Sequence, residues 1–213
     1  MNLKTKIISI PLGSRHVKLK VVSNLDELLV DVADADAIPF WAELWPASLA
    51  LARWLTRTRN LQGLKVLELG AGLGLAGIAA ALQGARVTQT DYVDKAMEMA
   101  GENARLNGLE EVIQIVDDWR EFQMEEEFEI ILGSDILYEP NLHPYLTEIF
   151  NRNLRPGGQI ILADPGRLYG RQLIGELTNL GWRLETGEEK VVYDNKNYLI
   201  DIYTLTRGEK NEI

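Results

Sequence analysis

The chain has 213 residues, 46% of them hydrophobic, which predicts one domain, or one domain with an extension, around a sizeable core. Its 32 acidic and 22 basic residues give a formal charge of −10, which argues against sequence-independent nucleic-acid binding but leaves room for a local basic patch. With no cysteine, two distant histidines and no apolar run of about 18 residues, we expect no disulfide, no metal site, no membrane span and a cytoplasmic location.

The N-terminal part of the chain predicts an extension to the main domain. We assign residues 1–45 to this extension and residues 46–213 to the domain. Within the extension, residues 3–22 alternate apolar and polar side chains around a turn-rich Pro-Leu-Gly-Ser, which predicts a β-hairpin. The acidic stretch at 25–36 is ambiguous and could begin a short helix.

Two tryptophans stand just before the first long helix. Pro46 suits the first turn of a helix, because its missing N–H has no partner there in any case, and we expect this helix to run to about Thr58. Trp41 and Trp45 could both pack in the core. Alternatively, Trp45 could form a wall beside a ligand, since an amphipathic aromatic ring can pack and still expose an edge.

The stretch from Leu64 to Asp91 organises the chain. An apolar strand carries Glu68 near its end, a loop follows at Gly70-Ala71-Gly72-Leu73-Gly74, and a helix and a second strand then lead to Asp91. The glycines let the backbone approach a ligand, the helix N-terminus offers free N–H groups, and an acid about 20 residues further on can accept from ribose hydroxyls. This arrangement predicts a nucleoside-cofactor site.

Two classes of cofactor fit this site. Gly72, Gly74 and Gly77 match the dinucleotide fingerprint, so an NAD-dependent oxidoreductase stays open. Glu68 favours the other class, because a carboxylate beside the loop would repel a pyrophosphate and attract an ammonium or a sulfonium. S-adenosylmethionine carries both of these cations. A glycine-rich turn without a ligand is a further alternative.

The next strand, at 112–116, follows a helix predicted over 94–107 and ends in Asp117-Asp118-Trp119. An acid and an aromatic ring at this position suit adenine. Asp118 can accept from the amino group of the base, and Trp119 can stack on its ring. An acidic loop with a packed tryptophan is the alternative.

The last part of the chain continues the alternation of strands and helices. A strand at 128–133 leads into Ser134-Asp135-Ile136-Leu137-Tyr138. The remaining predicted elements are a helix near 142–150, a strand at 160–163, a helix near 169–180 and an antiparallel pair at 182–193 and 198–206. The pattern predicts an α/β fold, with a Rossmann-like, mostly parallel seven-stranded sheet and helices on both faces.

These motifs together resemble the class I, seven-strand S-adenosylmethionine-dependent methyltransferases. A narrower resemblance rests on Trp45-Pro46, Asp118-Trp119 and Asp135-x-x-Tyr138. It is to the small protein-lysine methyltransferases, which include those acting on the electron-transfer flavoprotein β-subunit and whose bacterial members are often labelled as nicotinamide N-methyltransferase-like.

The resemblance implies a fold, a cofactor and an acceptor. The last strand should run antiparallel among parallel neighbours, and S-adenosylmethionine should be the cofactor. By resemblance, the cofactor is lined by Trp45, Gly70, Ala71, Gly72, Asp91, Trp119 and Ser134. A protein lysine is the favoured acceptor, with a small amine as the alternative, and a monomer is favoured. A cofactor-binding protein without catalysis also stays open.

Asp135 and Tyr138 are the candidate catalytic residues. Both follow the fourth strand of the predicted sheet, at the mouth where a substrate enters open α/β sheets. Asp135 would orient a cationic amine, and Tyr138 would shape the channel. The alternatives are a helix-capping role for Asp135 and a core position for Tyr138.

Overall fold

The computed structural model describes residues 4–24 and 39–207. The ambiguous acidic stretch therefore lies outside the described residues. The strands are β1 Thr5–Leu12, β2 Arg15–Val22, β3 Lys65–Leu69, β4 Arg86–Asp91, β5 Ile113–Val116, β6 Phe128–Ser134, β7 Leu154–Asp164, β8 Trp182–Tyr193 and β9 Lys196–Arg207. The α-helices are α1 Pro46–Thr58, α2 Leu75–Leu82, α3 Asp94–Leu106, α4 His143–Asn153 and α5 Leu168–Asn179.

Strands β1 and β2 form the expected hairpin as a separate two-stranded sheet. Alternate side chains of the hairpin are buried, as the period of two requires, and join the main core. Asn103 of α3 and Asn107, the residue after this helix, bond the free edge of β2. Asn103 Oδ1 accepts from the Lys20 N–H at 2.6 Å and its amide donates to the Lys20 carbonyl at 3.1 Å. Asn107 makes the same two bonds to Lys18, at 2.9 and 2.8 Å.

The main sheet has seven strands in the order β5-β4-β3-β6-β7-β9-β8. Strands β3 to β7 pair in parallel, whereas β9 pairs antiparallel with both β7 and β8. Both the seven-stranded sheet and its antiparallel last strand are therefore confirmed. The turn between β8 and β9 has positive φ at Asp194 and Asn195, which short polar side chains tolerate best.

Strand β7 is longer than its sequence pattern predicts. It begins at Leu154, which pairs with Phe128, and a register shift then brings Gln159 opposite Ile130. Pro156, Gly157 and Gly158 lie ahead of the strand predicted at 160–163, yet they form an irregular stretch of β7. Pairing with β6 has already begun on their N-terminal side, at Leu154.

The helices pack on both faces of the sheet. One apolar cluster joins α1, α2 and the hairpin to the sheet, and a second joins α4 and α5 to the opposite face. Because β3 to β7 are parallel, their carboxyl ends meet at a single edge. Among the helices that the structure describes, none is long and apolar enough to cross a bilayer.

Candidate active site

The glycine loop joins β3 to α2 at the carboxyl edge of the sheet. Gly70, Gly72 and Gly74 have φ of 62°, 51° and 79°, in the left-handed region that side chains disfavour. A Cβ at Gly72 would lie 3.2 Å from the Trp41 carbonyl oxygen, so the segment before α1 crosses close over the loop. The positive φ and the close packing thus both require glycine here, and together they fix the backbone conformation of the loop.

Asp91 ends β4 beside this loop and is 6% exposed. Its carboxylate accepts from the Gly72 N–H at 3.0 Å and from the Val93 N–H at 3.1 Å, with the Tyr92 N–H close by. Burial raises the pKa of Asp91, and these N–H groups oppose that rise. A carboxylate has about four acceptor sites, so at least one stays open for a ribose hydroxyl. The geometry fits a nucleoside cofactor.

Glu68 lies behind the loop, near the end of β3. Its side chain is 2% exposed and accepts from Gln89 Nε2 at 2.7 Å and from N–H groups at the start of α2. Burial raises its pKa to about 7. The carboxylate therefore supports the loop from below and does not face the open side of the site.

The same packing explains the third glycine of the dinucleotide fingerprint. A Cβ at Gly77 would collide with the Glu68 carboxylate and with the Gln89 side chain. The small residue is needed for this buried acid, so its presence is no evidence for a pyrophosphate-binding turn.

The Asp-Trp pair after β5 divides between two environments. The Trp119 ring lies against the glycine loop, with Cζ2 3.2 Å from the position of a Cβ at Gly70. Asp118 instead forms an ion pair with Arg120, at 3.0 and 2.6 Å, and this bond lowers the pKa of Asp118. The structure thus brings Trp119 to the cofactor side, whereas the Asp118 carboxylate is occupied within its own turn. Sequence reasoning missed Arg120.

A row of aromatic rings connects the two sides of the site. Trp45 Nε1 donates to the Phe40 carbonyl at 2.8 Å, and the Phe40 ring centroid lies 6.0 Å from that of Trp45 and 6.3 Å from that of Tyr138. Trp45 and Tyr138 are therefore joined through Phe40, which sequence reasoning did not single out. Burial raises the pKa of Tyr138, and the nearby Asp91 and Asp135 raise it further.

Asp135 follows Ser134, the last residue of β6, and has a left-handed φ of 55°. Its N–H donates to the Ala163 carbonyl at 2.8 Å. Both carboxylate oxygens accept from Arg167, from Nε at 2.8 Å and from Nη2 at 3.0 Å. The side chain is 8% exposed, against 41% for Arg167. Asp135, the candidate for orienting the acceptor amine, therefore already carries a bidentate counter-ion, which sequence reasoning did not predict.

Asp164 is a further acid at this edge that sequence reasoning missed. It ends β7 as Asp91 ends β4, and this shared position is the signal that could have found it. Its Oδ1 accepts from the N–H groups of Gly166 and Arg167, at 2.8 and 2.6 Å. Its buried Oδ2 finds no hydrogen-bond partner within residues 4–24 and 39–207, and burial raises the pKa of the group. Asp164 thus fixes the backbone that carries Arg167.

The sheet order with its inserted antiparallel strand, the glycine loop and the acid after the next strand define a class I methyltransferase fold. The chain matches a ribosomal protein L11 methylase from Lactobacillus delbrueckii subsp. bulgaricus with a TM-score of 0.60 and 22% identity, over 94% of this chain and 98% of that one. It matches a TehB-like SAM-dependent methyltransferase from Corynebacterium glutamicum with a TM-score of 0.58 and 19% identity, over 75% and 88%.

Sequence comparison narrows this class to one family. The profile of the lysine methyltransferase family matches residues 30–170, more than half of the chain. The protein belongs to the lysine methyltransferase family.

Two curated relatives come from Danio rerio. Protein N-lysine methyltransferase METTL21A is 33% identical over 178 residues, 80% of this chain and 79% of that protein. Electron transfer flavoprotein beta subunit lysine methyltransferase is 33% identical over 135 residues, 61% of this chain. The match spans only about half of that second relative, 51% of its length.

Proposed function

We propose that the protein transfers a methyl group from S-adenosylmethionine to the side-chain amine of a protein lysine. One observation carries the proposal: the glycine loop with Asp91 lies at the same sheet edge as Asp135, and aromatic rings connect the two sides. Family membership supports a lysine methyltransferase. Both named relatives are lysine methyltransferases, which supports a protein lysine as acceptor.

The residues of this chain divide the work of holding the cofactor. The loop at 70–74 would face its amino-acid part, and Asp91 its ribose, through the acceptor site that its backbone bonds leave open. Trp119 would pack against the base, while Trp45 and Ser134 complete the wall. When bound, S-adenosylmethionine would supply the methyl group from its positively charged sulfur, which would keep the electrons of the C–S bond as the leaving group.

The acceptor side must deliver a neutral amine. A lysine with an ordinary pKa near ~10.4 costs about 5 kcal/mol to deprotonate at pH 7. Asp135 accepts a hydrogen bond from the amine and aligns it, while Tyr138 and Phe40 exclude water from the channel. Such alignment can contribute about 7–11 kcal/mol to the reaction. The proton released from the amine passes to water or to a carboxylate.

The rim of the site favours a polypeptide over a small amine. Phe40, Tyr92 and Tyr138 are 45%, 51% and 43% exposed. Exposed aromatic rings beside a catalytic cleft suit contact with a protein surface, where aromatic residues are enriched. A small amine would leave them uncovered, so it remains the second candidate.

Three features stay predictions from the sequence. They are the boundary between residues 1–45 and 46–213, the monomeric state and the cytoplasmic location. Limited proteolysis tests the first of these, and size-exclusion chromatography with light scattering tests the second.

The first experiment separates the cofactor from the acceptor. Calorimetric titration with S-adenosylmethionine, S-adenosylhomocysteine and NAD should give micromolar binding of the first two and no heat with NAD. Incubation of a cell lysate with methyl-labelled cofactor should then label proteins at lysine. Binding of NAD alone would overturn the methyltransferase proposal. Cofactor binding with label only on small amines would show that the acceptor is a small amine. Cofactor binding without any label would indicate a non-catalytic binding protein.

A further inference from the structure

The bidentate ion pair between Asp135 and Arg167 lies where the proposed acceptor amine must be held. The guanidinium reaches both carboxylate oxygens, at 2.8 and 3.0 Å, in the fork geometry that makes such pairs strong. Asp135 is 8% exposed and Arg167 is 41% exposed, so the acid is enclosed while the arginine reaches it from the solvent side. An incoming amine therefore meets a carboxylate whose charge is already balanced.

Both partners are fixed through their backbones to the same strand. Asp135 donates its N–H to the carbonyl of Ala163 in β7, and Arg167 donates its N–H to Asp164 at the end of β7. Asp135 also keeps its left-handed φ, an uncommon conformation for a residue with a side chain. Because both backbones are anchored, the pairing of the side chains follows from the fold and is not a chance surface contact.

The surroundings of the pair are rich in acids. The titratable groups that interact with the pair are Asp164 from β7 and Tyr138 from the segment after β6. Tyr138 in turn lies near three further groups, which are Asp91, Glu139 and Tyr92. The hydrogen bond that Arg167 donates to Asp135 raises the pKa of Arg167, so the guanidinium stays charged. Without this cation, the carboxylates would favour an ammonium and hold its proton.

We propose that Arg167 is the positioning residue that balances Asp135, so that the acceptor amine binds less tightly as an ammonium and loses its proton more readily. The inference rests on the proposed lysine methylation and adds to it the control of the acceptor's protonation. An opposite charge within about 4–6 Å typically shifts a pKa by ~1–3 units, so the effect should be measurable.

The test compares Arg167→Gln and Arg167→Lys with Arg171→Gln. Arg171 is a matched control, because it lies one turn further along α5 and pairs with Asp201 at 3.5 Å. Butylamine, which mimics a lysine side chain, is titrated into protein saturated with S-adenosylhomocysteine at pH 7.5, with calorimetry as the readout. Arg167→Gln should bind butylammonium about tenfold more tightly than wild type, Arg167→Lys should fall between them, and Arg171→Gln should equal wild type. Equal affinity in wild type and Arg167→Gln, or no butylamine binding by either, overturns the inference.

The rate of label transfer to lysate protein gives a second readout. In Arg167→Gln, kcat should fall at neutral pH and its pH profile should move about one unit to the alkaline side, while the acceptor KM falls. A uniform loss of kcat at every pH would assign Arg167 a merely structural role and overturn the inference. Failure of the proposed function looks different, because wild-type protein would then label no lysine. The butylamine affinities of wild type and Arg167→Gln can still be compared in that case. If S-adenosylhomocysteine does not bind, the comparison uses cofactor-free protein.

Discussion

Asp91 ends β4 and Asp135 follows β6 at the same edge of the sheet, yet they are held in different ways. Asp91 accepts from the backbone N–H groups of Gly72 and Val93, which cannot move without the loop. Asp135 accepts from the Arg167 side chain, which is 41% exposed. The cofactor side of the site is therefore preorganised by backbone, whereas the acceptor side is balanced by an ion pair between side chains.

The hydrogen bonds that support the two acids from behind also differ. Behind the loop, Gln114 donates to Gln89 at 3.1 Å and Gln89 donates to Glu68 at 2.7 Å, so a buried chain of hydrogen bonds supports it. Behind Asp135, Asp164 binds two N–H groups through one oxygen only. We infer that a substitution on the cofactor side mainly lowers the stability of the protein, whereas a substitution on the acceptor side mainly lowers the rate of the reaction.

Asp135→Ala should separate the two sides of the site by the largest effect, because it should change turnover and leave cofactor binding nearly unchanged. Turnover should fall about a thousandfold, the range of a lost proton-handling or orienting group, while cofactor affinity stays within a few-fold. Arg167 is partly exposed and can turn to water, so the free energy of unfolding should change little. Single-turnover label transfer and calorimetry measure the two quantities. Full turnover in this variant would show that Asp135 is not catalytic.

Asp91→Ala should give the complementary result. Two partly buried N–H groups lose their acceptor, at about 1 kcal/mol each, and the ribose loses its partner. We expect S-adenosylhomocysteine to bind about a hundredfold more weakly and the protein to unfold at a lower temperature. Asp94→Ala is the control, because this exposed acid lies three residues further on, in the first turn of α3. Equal cofactor affinity in both variants would remove Asp91 from the site.

The sequence predicted the sheet and the loop because both rest on local patterns. Alternating strands and helices, and glycines that permit positive φ, are visible within 10 to 20 residues. The ion pair between Asp135 and Arg167 joins positions 32 residues apart and depends on how β6 and β7 align. The burial of Glu68 could not be predicted for a related reason, since the space that Gly77 leaves beneath the loop is a tertiary feature.

Glu68→Gln should change how the stability of the protein depends on pH. The pKa of Glu68 is raised from 4.5 to about 7, so the folded state binds a proton that the unfolded state has released across this range. The wild type therefore loses stability as pH rises from about 5 to 8, by about 2 kcal/mol from this group. Glu68→Gln should lack this loss, and Glu98→Gln, at an exposed position in α3, should keep it. Urea unfolding at the two pH values measures the difference, and parallel curves for all three proteins would contradict it.

The smallest expected effect separates Asn103 from Asn107. Both side chains bond the backbone of β2 in the same two-point manner, but Asn103 also donates to the Leu73 carbonyl in the glycine loop at 3.0 Å. Each alanine variant should loosen the hairpin, and Asn103→Ala should cost about 1 kcal/mol more, because it leaves that buried carbonyl unpaired. Only Asn103→Ala should also weaken S-adenosylhomocysteine binding by a few-fold, since Leu73 lies within the loop. Hydrogen exchange of the loop amides, read alongside calorimetry, checks this coupling. Equal protection of the loop in both variants would show that the hairpin is held independently of the cofactor side.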